Sequence, residues 1–350
     1  MAGKYQTIRG KKLSFLIDKK ALLLLAVLFV LFLIVVIGSI ELGDVLINPL
    51  DALKAIFGSA DGMQNIVVRS FRLPRILIAA LAGAALAVSG TILQGLVRNP
   101  LASPDIIGVT AGASLTTVGF LALFSTGDTS MDVSIQWLPV ASFIGAIAVS
   151  GFVYVLSQKN FSPVRLVLIG IGITAGVKAL TDMMMLLGPV YLASQSNIWL
   201  TGSVNGADWS QVVFLLIWFL VFFVLALGLS RRLNAQELGE KVAVGIGGHP
   251  KVDRVLLLVV SASLAAGAVA FAGGIGFVGL MAPHIARRLA RAGHGTLIPV
   301  SALIGAMIVM LSDLVGRLLF SPLEIPAGVF TSAIGAPYFI YLLYKTRKRR

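Results

Sequence analysis

Ala21-Leu-Leu-Leu-Leu-Ala-Val-Leu-Phe-Val-Leu-Phe-Leu-Ile-Val-Val-Ile-Gly-Ser-Ile40 carries no charge. At about 1.5 Å per residue, a helix of about 20 residues matches a hydrocarbon core of roughly 30 Å. A basic stretch (Lys4, Arg9, Lys11, Lys12, Lys19, Lys20) precedes the run, so the start superficially resembles a signal peptide. The run is longer than the roughly 7–15 residues of a secretory apolar segment and reads instead as a retained first membrane helix.

Outward from this run the same pattern recurs. In hydrocarbon every backbone N–H and C=O must be paired internally, so apolar stretches of this length become helices rather than open sheets. The pattern predicts helices near 20–40, 73–97, 103–125, 136–157, 164–187, 211–230, 254–273, 277–290, 297–318 and 326–344. The eighth is short for a full crossing. The expected fold is therefore all-α and polytopic, with about ten transmembrane helices. Residues 1–20 form a basic N-terminal tail, 21–344 the membrane domain and 345–350 a basic C-terminal tail.

Composition agrees, since 57% of the 350 residues are hydrophobic and 12% charged, against roughly 25% charged in soluble domains. A water-soluble domain would need a charged surface that this chain lacks. The net charge of +13 would suggest nucleic acid in a soluble protein, but here the charge sits in loops and tails, which points to no nucleic-acid partner. Without cysteine, disulfides, thiolate metal sites and cysteine nucleophiles are excluded.

Cytoplasmic loops carry the excess of Lys and Arg. With the N-terminus inside, the outer segments hold Lys54, Arg69, Arg72, Arg75 and Arg317, Lys178 lies within a helix, and the rest of the 28 basic residues, Arg291 among them, fall on the inner side. Both termini are expected to face the cytoplasm. Small residues four apart (Gly83 with Ala87, Gly108 with Gly112, Gly172 with Gly176) let helix backbones approach closely, and packing is the weightier reading of them than gating. Gly90, Gly95, Leu96 and Pro100 faintly echo Gly274, Gly279, Leu280 and Pro283; an inverted repeat and coincidence weigh about equally.

Catalytic signatures are missing. Nothing matches G-x-x-x-x-G-K-[ST] or H-E-x-x-H, and no serine sits in a G-x-S-x-G elbow. The chain is expected to hold no cofactor, catalytic residue or metal site, and to hydrolyse no ATP itself. His249, His284 and His294 fall near predicted membrane boundaries and read as hydrated loop residues. An intramembrane protease would need paired aspartates or a serine and histidine inside helices, and Asp182 and Asp313 lack such a setting.

Ionisable groups inside a bilayer need partners. Lys178 and Asp182, four apart, invite a mutual salt bridge more than a place in a substrate path, and Asp313 and Arg317 repeat the spacing. Arg317 could alternatively reach a partner. Arg69, Arg72 and Arg75 run against the positive-inside trend, so something negative should meet them: lipid phosphate, or an acidic docking protein paired through arginine forks. The segment from Leu233 to Pro250 is the longest polar stretch between inner helix ends and reads as two short helices broken by Gly245, Gly247 and Gly248. It forms a cytoplasmic knob or an idle loop.

Several motifs stand in a fixed order: Arg72-Leu-Pro-Arg75, Gly90-x-x-x-Gln94, Asn99-Pro-Leu-Ala-x-Pro104 and Gly108-x-x-x-Gly112 come first. Leu238-Gly-Glu-x-x-Ala243-x-Gly245, Gly276-Phe-Val-Gly-Leu-x-x-Pro-His284, Glu324-Ile-Pro-x-Gly-x-x-Thr331 and Gly335-Ala-Pro337 follow. From about Ala21 onward the chain resembles the iron-siderophore and vitamin B12 branch of ATP-binding cassette importer permeases, the FecCD family. The resemblance implies the type II ABC importer permease architecture, with two permease subunits side by side and a pathway between them. It implies two cytoplasmic ATP-binding subunits, an extracytoplasmic substrate-binding protein and a location in the bacterial cytoplasmic membrane. ATP is hydrolysed by the partner subunits.

On the same resemblance the knob couples to the ATPase through Leu238, Gly239, Glu240, Ala243 and Gly245, and Arg72, Arg75 and Arg317 dock the binding protein. For Gly276 to His284 a helix break is the weightier role. The expected activity is translocation of an intact ferric siderophore by alternating access. The same family would also accommodate cobalamin, haem or ferric citrate, and the reading from another class is an ion-coupled carrier or membrane enzyme acting alone.

Overall fold

The computed structural model describes residues 5–9, 14–43, 46–56, 58–59, 62–126, 130–131, 134–159, 162–187, 190–290, 292–321 and 323–347. Fourteen α-helices are present among them: α1 (Lys19–Glu41), α2 (Pro49–Ile56), α3 (Gly62–Ile66), α4 (Leu73–Val97), α5 (Val109–Phe124), α6 (Leu138–Ser157), α7 (Pro163–Leu187), α8 (Val190–Thr201), α9 (Trp209–Leu238), α10 (Glu240–Gly245), α11 (Pro250–Ala272), α12 (Val278–Ala290), α13 (His294–Leu319) and α14 (Ala327–Arg347). A π-helical turn (Val67–Arg72) leads into α4, and a 3-10 turn (Pro104–Ile107) precedes α5. Two short antiparallel ribbons, Tyr5–Arg9 with Ser14–Asp18 before α1 and Ser125–Thr126 with Ser130–Met131 between α5 and α6, accompany the helices.

All ten predicted membrane helices are found, as α1, α4 to α7, α9 and α11 to α14. Eight spans among the described residues are long and apolar enough to cross a bilayer, while α5 is 16 residues long and α12 is 13. α4 is the central post, packed by α9, α11, α12 and α13. Its Ala- and Gly-rich sequence is what permits this, because backbones meet where no side chain intervenes. A Cβ on Gly83 would lie 2.2 Å from the Gly305 carbonyl oxygen of α13, and one on Gly90 would lie 1.7 Å from that of Gly279 on α12. Gly112 meets Gly145 of α6 in the same way. The packing reading of these glycines therefore holds. Gly172 and Gly176 differ, since nothing lies within 4 Å of either Cβ position.

Two departures from the predicted boundaries bear on function. α9 was expected to stop near residue 230 but continues unbroken to Leu238, so the polar stretch is one helical extension plus the short α10, not two short helices. Arg231 and Arg232 mark a change of solvent, and charge does not end a helix. In the second, the predicted helix from 103 begins late: residues 99–103 are not helical, the 3-10 turn follows, and Gly108 (φ +78°) turns the chain into α5. The Ile106 carbonyl packs where a Cβ of Gly170 on α7 would sit. Non-helical backbone at this depth is tolerated because protein surrounds it. Helices α2 and α8 were not foreseen. The predicted inner-side position of Arg291 lies outside the described residues.

Candidate functional site

The end of α9 builds the knob. Asp208 caps its start, accepting from the Gln211 backbone N–H at 3.0 Å. Burial pushes the Asp208 carboxyl up, but the hydrogen bonds from Ser210 and Gln211 outweigh it and hold the group below its ordinary value. At the far end Gly239 breaks the helix with φ +121° and ψ 152°, a conformation open in practice only to glycine. α10 follows, then Gly247 at φ +82°, then Pro250 at the first turn of α11.

Large apolar side chains are exposed on this turn, Leu238 at 72% and Ile246 at 69% with Val242 and Val244 beside them, alongside the exposed Glu240 and Lys241. Ala243 is buried, and its carbonyl accepts from the Gly248 N–H at 2.8 Å. So Leu238, Gly239 and Gly245 lie on the open side of the knob, whereas Ala243 packs it from within.

Ion pairs tie the knob to the bundle. Glu240 pairs with Arg254 of α11, and Glu237 pairs with Arg287 of α12 at 3.1 Å. Asp253, buried, pairs with Arg232 at 2.6 Å. Arg98, the left-handed C-cap of α4, donates from Nε to the Gln236 carbonyl at 2.9 Å, and Gln236 Nε2 donates to the Pro250 carbonyl at 3.1 Å. His294 at the start of α13 is buried, not hydrated; its backbone N–H donates to Asn234 Oδ1 at 2.9 Å, and its ring Nδ1 lies 2.7 Å from the same oxygen. These contacts tie the knob to α4, α11, α12 and α13. The motif around Leu238 pointed to the knob, but Asn234, Gln236, Arg254 and Arg287 were missed because their partners lie far along the chain.

At the opposite end the arginines are occupied within the chain. Arg75 forks onto Asp313 at 2.8–3.0 Å and reaches Glu324 at 2.9–3.0 Å. Arg317 lies 3.4 Å from Asp313 and donates to the Ser39 carbonyl at 3.0 Å. Arg72 donates to the Ile40 and Glu41 carbonyls. The last carbonyls of α1 have no partner within their own helix, and two cations there also meet the favourable end of its dipole. Arg72 is 7% exposed and Arg317 9%. Arg69, one turn away, is exposed.

Within the bundle, α11 ends at Gly273 (φ +67°), and the chain stays non-helical to Phe277, itself at φ +65°. The break expected near Gly276 is there, and Pro283 lies inside α12. The ring of Phe277 occupies the place a Cβ of Gly335 would take. Lys178 and Asp182 make no ion pair, contrary to expectation; both are exposed on α7. Lysine preceding aspartate by four is the poorer orientation on a helix, whereas Asp313 preceding Arg317 is the better one.

Residues 30–345 match the FecCD transport family. The chain belongs to that family. It is 51% identical over 331 residues to "Probable siderophore transport system permease protein YfhA" of Bacillus subtilis (strain 168), covering 94% of this chain and 96% of that one. The iron(3+)-hydroxamate import system permease protein FhuG of the same strain is 41% identical, with 93% and 98% covered. Among solved structures, an inward-facing one assigned to the metal-chelate type of ABC transporter superposes with a TM-score of 0.81 at 34% identity, covering 92% of this chain and 98% of that one. As a FecCD chain the protein is a membrane permease of the ABC importer type.

Proposed function

We propose that this permease, paired with a second permease subunit, moves an intact ferric siderophore across the bacterial cytoplasmic membrane by alternating access. The observation that carries the reading is the exposed apolar side chains Leu238, Val242, Val244 and Ile246 on a knob braced by ion pairs against α11 and α12. Exposed apolar surface outside the membrane spans marks a protein contact, and two ATP-binding subunits on that side are the partners proposed for it. ATP is bound and hydrolysed there, and this chain supplies no cofactor and no metal ligand. Both termini lie on the same side as the knob.

The second permease covers α7. Charges facing hydrocarbon are expensive, so the exposed Lys178 and Asp182 belong against protein or a hydrated path. On the other side of the membrane an extracytoplasmic binding protein docks over Arg75 and Glu324, with Arg69 as the exposed cation nearby. Arg72 and Arg317 lie beneath, Arg317 holding α1 against α13 and Arg72 holding it against the turn into α4. Siderophore is preferred as cargo because the relatives' names include siderophore and hydroxamate systems.

Proteoliposomes test this. Uptake of a ferric siderophore is expected only when ATP-binding subunits, ATP and the binding protein are all supplied. Uptake driven by an ion gradient without the ATPase would overturn it.

A further inference from the structure

Two cavities meet at Tyr154 and Val255, which line both. One, of about 1010 Å³, opens beside the knob between α10 and the ends of α6 and α11; its polar walls are Gln158, Glu240, Lys241, Lys251 and Arg254. The other, of about 200 Å³, continues into the helical spans between α6, α7 and α11, with Ile147, Leu166, Leu258, Val259 and Ala262 on its walls. Ser150 also lines it, but its hydroxyl donates to the Ala146 carbonyl at 2.7 Å, so that wall is effectively apolar. From Ile147 to Tyr154 the slot follows about 10 Å of helix, at about 1.5 Å per residue.

An apolar slot at membrane depth that opens into a cationic chamber at its edge matches one kind of molecule. The chamber holds three cations and one carboxylate, Glu240, which is already paired with Arg254. Lys241 and Lys251 are exposed. Asp253, on the same helix as Lys251, is taken by Arg232. Basic pockets between membrane helices select anionic headgroups, and long lysine side chains reach such groups readily.

We propose that this composite cavity binds an anionic glycerophospholipid of the knob-side leaflet. The headgroup-proximal part of one acyl chain lies in the slot between α6 and α11, and the headgroup phosphate sits between Lys241 and Lys251. Because Lys241 is on α10 and Lys251 on α11, the lipid bridges the knob to the bundle next to the Glu240–Arg254 pair. Lipid charge thereby bears on how firmly the knob is held. The site is independent of which chelate is carried.

The test uses the assembled transporter, with its ATP-binding subunits, in nanodiscs of phosphatidylcholine mixed with phosphatidylglycerol, followed by native mass spectrometry of retained lipid. Wild type is expected to retain phosphatidylglycerol in preference to phosphatidylcholine. K241Q and K251Q should each lower retention about fivefold, and the double variant more. A262F, which fills the slot and leaves the charges, should lower it as well; thermal melting checks that each variant is folded. No preference in wild type, as would follow if the ATPase fills the chamber, overturns the proposal. So does full retention in the double variant. Displacement of the lipid by glycerol phosphate as effective as by short-chain phosphatidylglycerol would show a free-phosphate site instead, and would equally overturn it.

Discussion

Replacing Gly239 by alanine should separate ATP hydrolysis from transport. Gly239 sits at φ +121° and ψ 152°, and no atom lies within 4 Å of its Cβ position. The penalty is therefore one of backbone conformation and not of space: about 1–3 kcal/mol for a residue held where L side chains rarely go. The knob relieves this by changing the angle between α9 and α10, which lowers the population of the correctly aimed knob by about 5- to 150-fold. Membrane insertion and folding of the bundle should be unaffected, because the strain sits outside the spans. Gly245→Ala is the matched control, since that position also has open space but no positive φ. Reconstituted complexes would be assayed in parallel for binding-protein-stimulated ATPase activity and for uptake. The expected result is Gly239→Ala with ATPase activity retained and uptake per ATP reduced severalfold or more, and Gly245→Ala close to wild type. Equal uptake per ATP in wild type and Gly239→Ala would refute the reasoning.

Other perturbations test other joints of the structure. Asp313→Ala removes the carboxylate shared by Arg75 and Arg317; thermal unfolding in detergent should show a loss at the lower end of about 3–5 kcal/mol, because Glu324 and the Ser39 carbonyl still hold the two cations. Arg69→Glu should weaken docking of the binding protein, most visibly at low salt, where exposed charges are least screened, while Arg72→Glu should mainly destabilise the α1 contact; docking titrations and melting curves separate the two. Gly90→Val should prevent the α4–α12 approach and leave little folded protein in detergent by size-exclusion chromatography. Asp208→Ala should cost about 1 kcal/mol as a lost helix cap. Because hydrogen bonds hold the Asp208 pKa below its ordinary value despite burial, that contribution is complete above the unfolded-state value of about 3.9 and fades as pH falls through the folded one, which melting curves across acid pH would show.

Ala21 to Ile40 and the stretches like it specify membrane helices, because length and lack of charge alone satisfy the requirements of hydrocarbon. The order of local motifs from Arg72 to Pro337 likewise locates the knob and the break near Gly276, since each is a backbone demand met by glycine or proline at one place in the chain. Partnership across long separations is a different matter. Nothing near Arg75 announces Asp313 or Glu324, and nothing near Glu237 announces Arg287; those pairs exist because α4, α9, α12 and α13 are brought side by side. Lys178 and Asp182 show the converse, a sequence spacing that suggests a pair which the geometry does not form. Sequence fixes what each segment must do with its own backbone and solvent. Only the packed bundle decides which distant charge neutralises which, because that depends on the close approaches that Gly83, Gly90 and Gly112 permit.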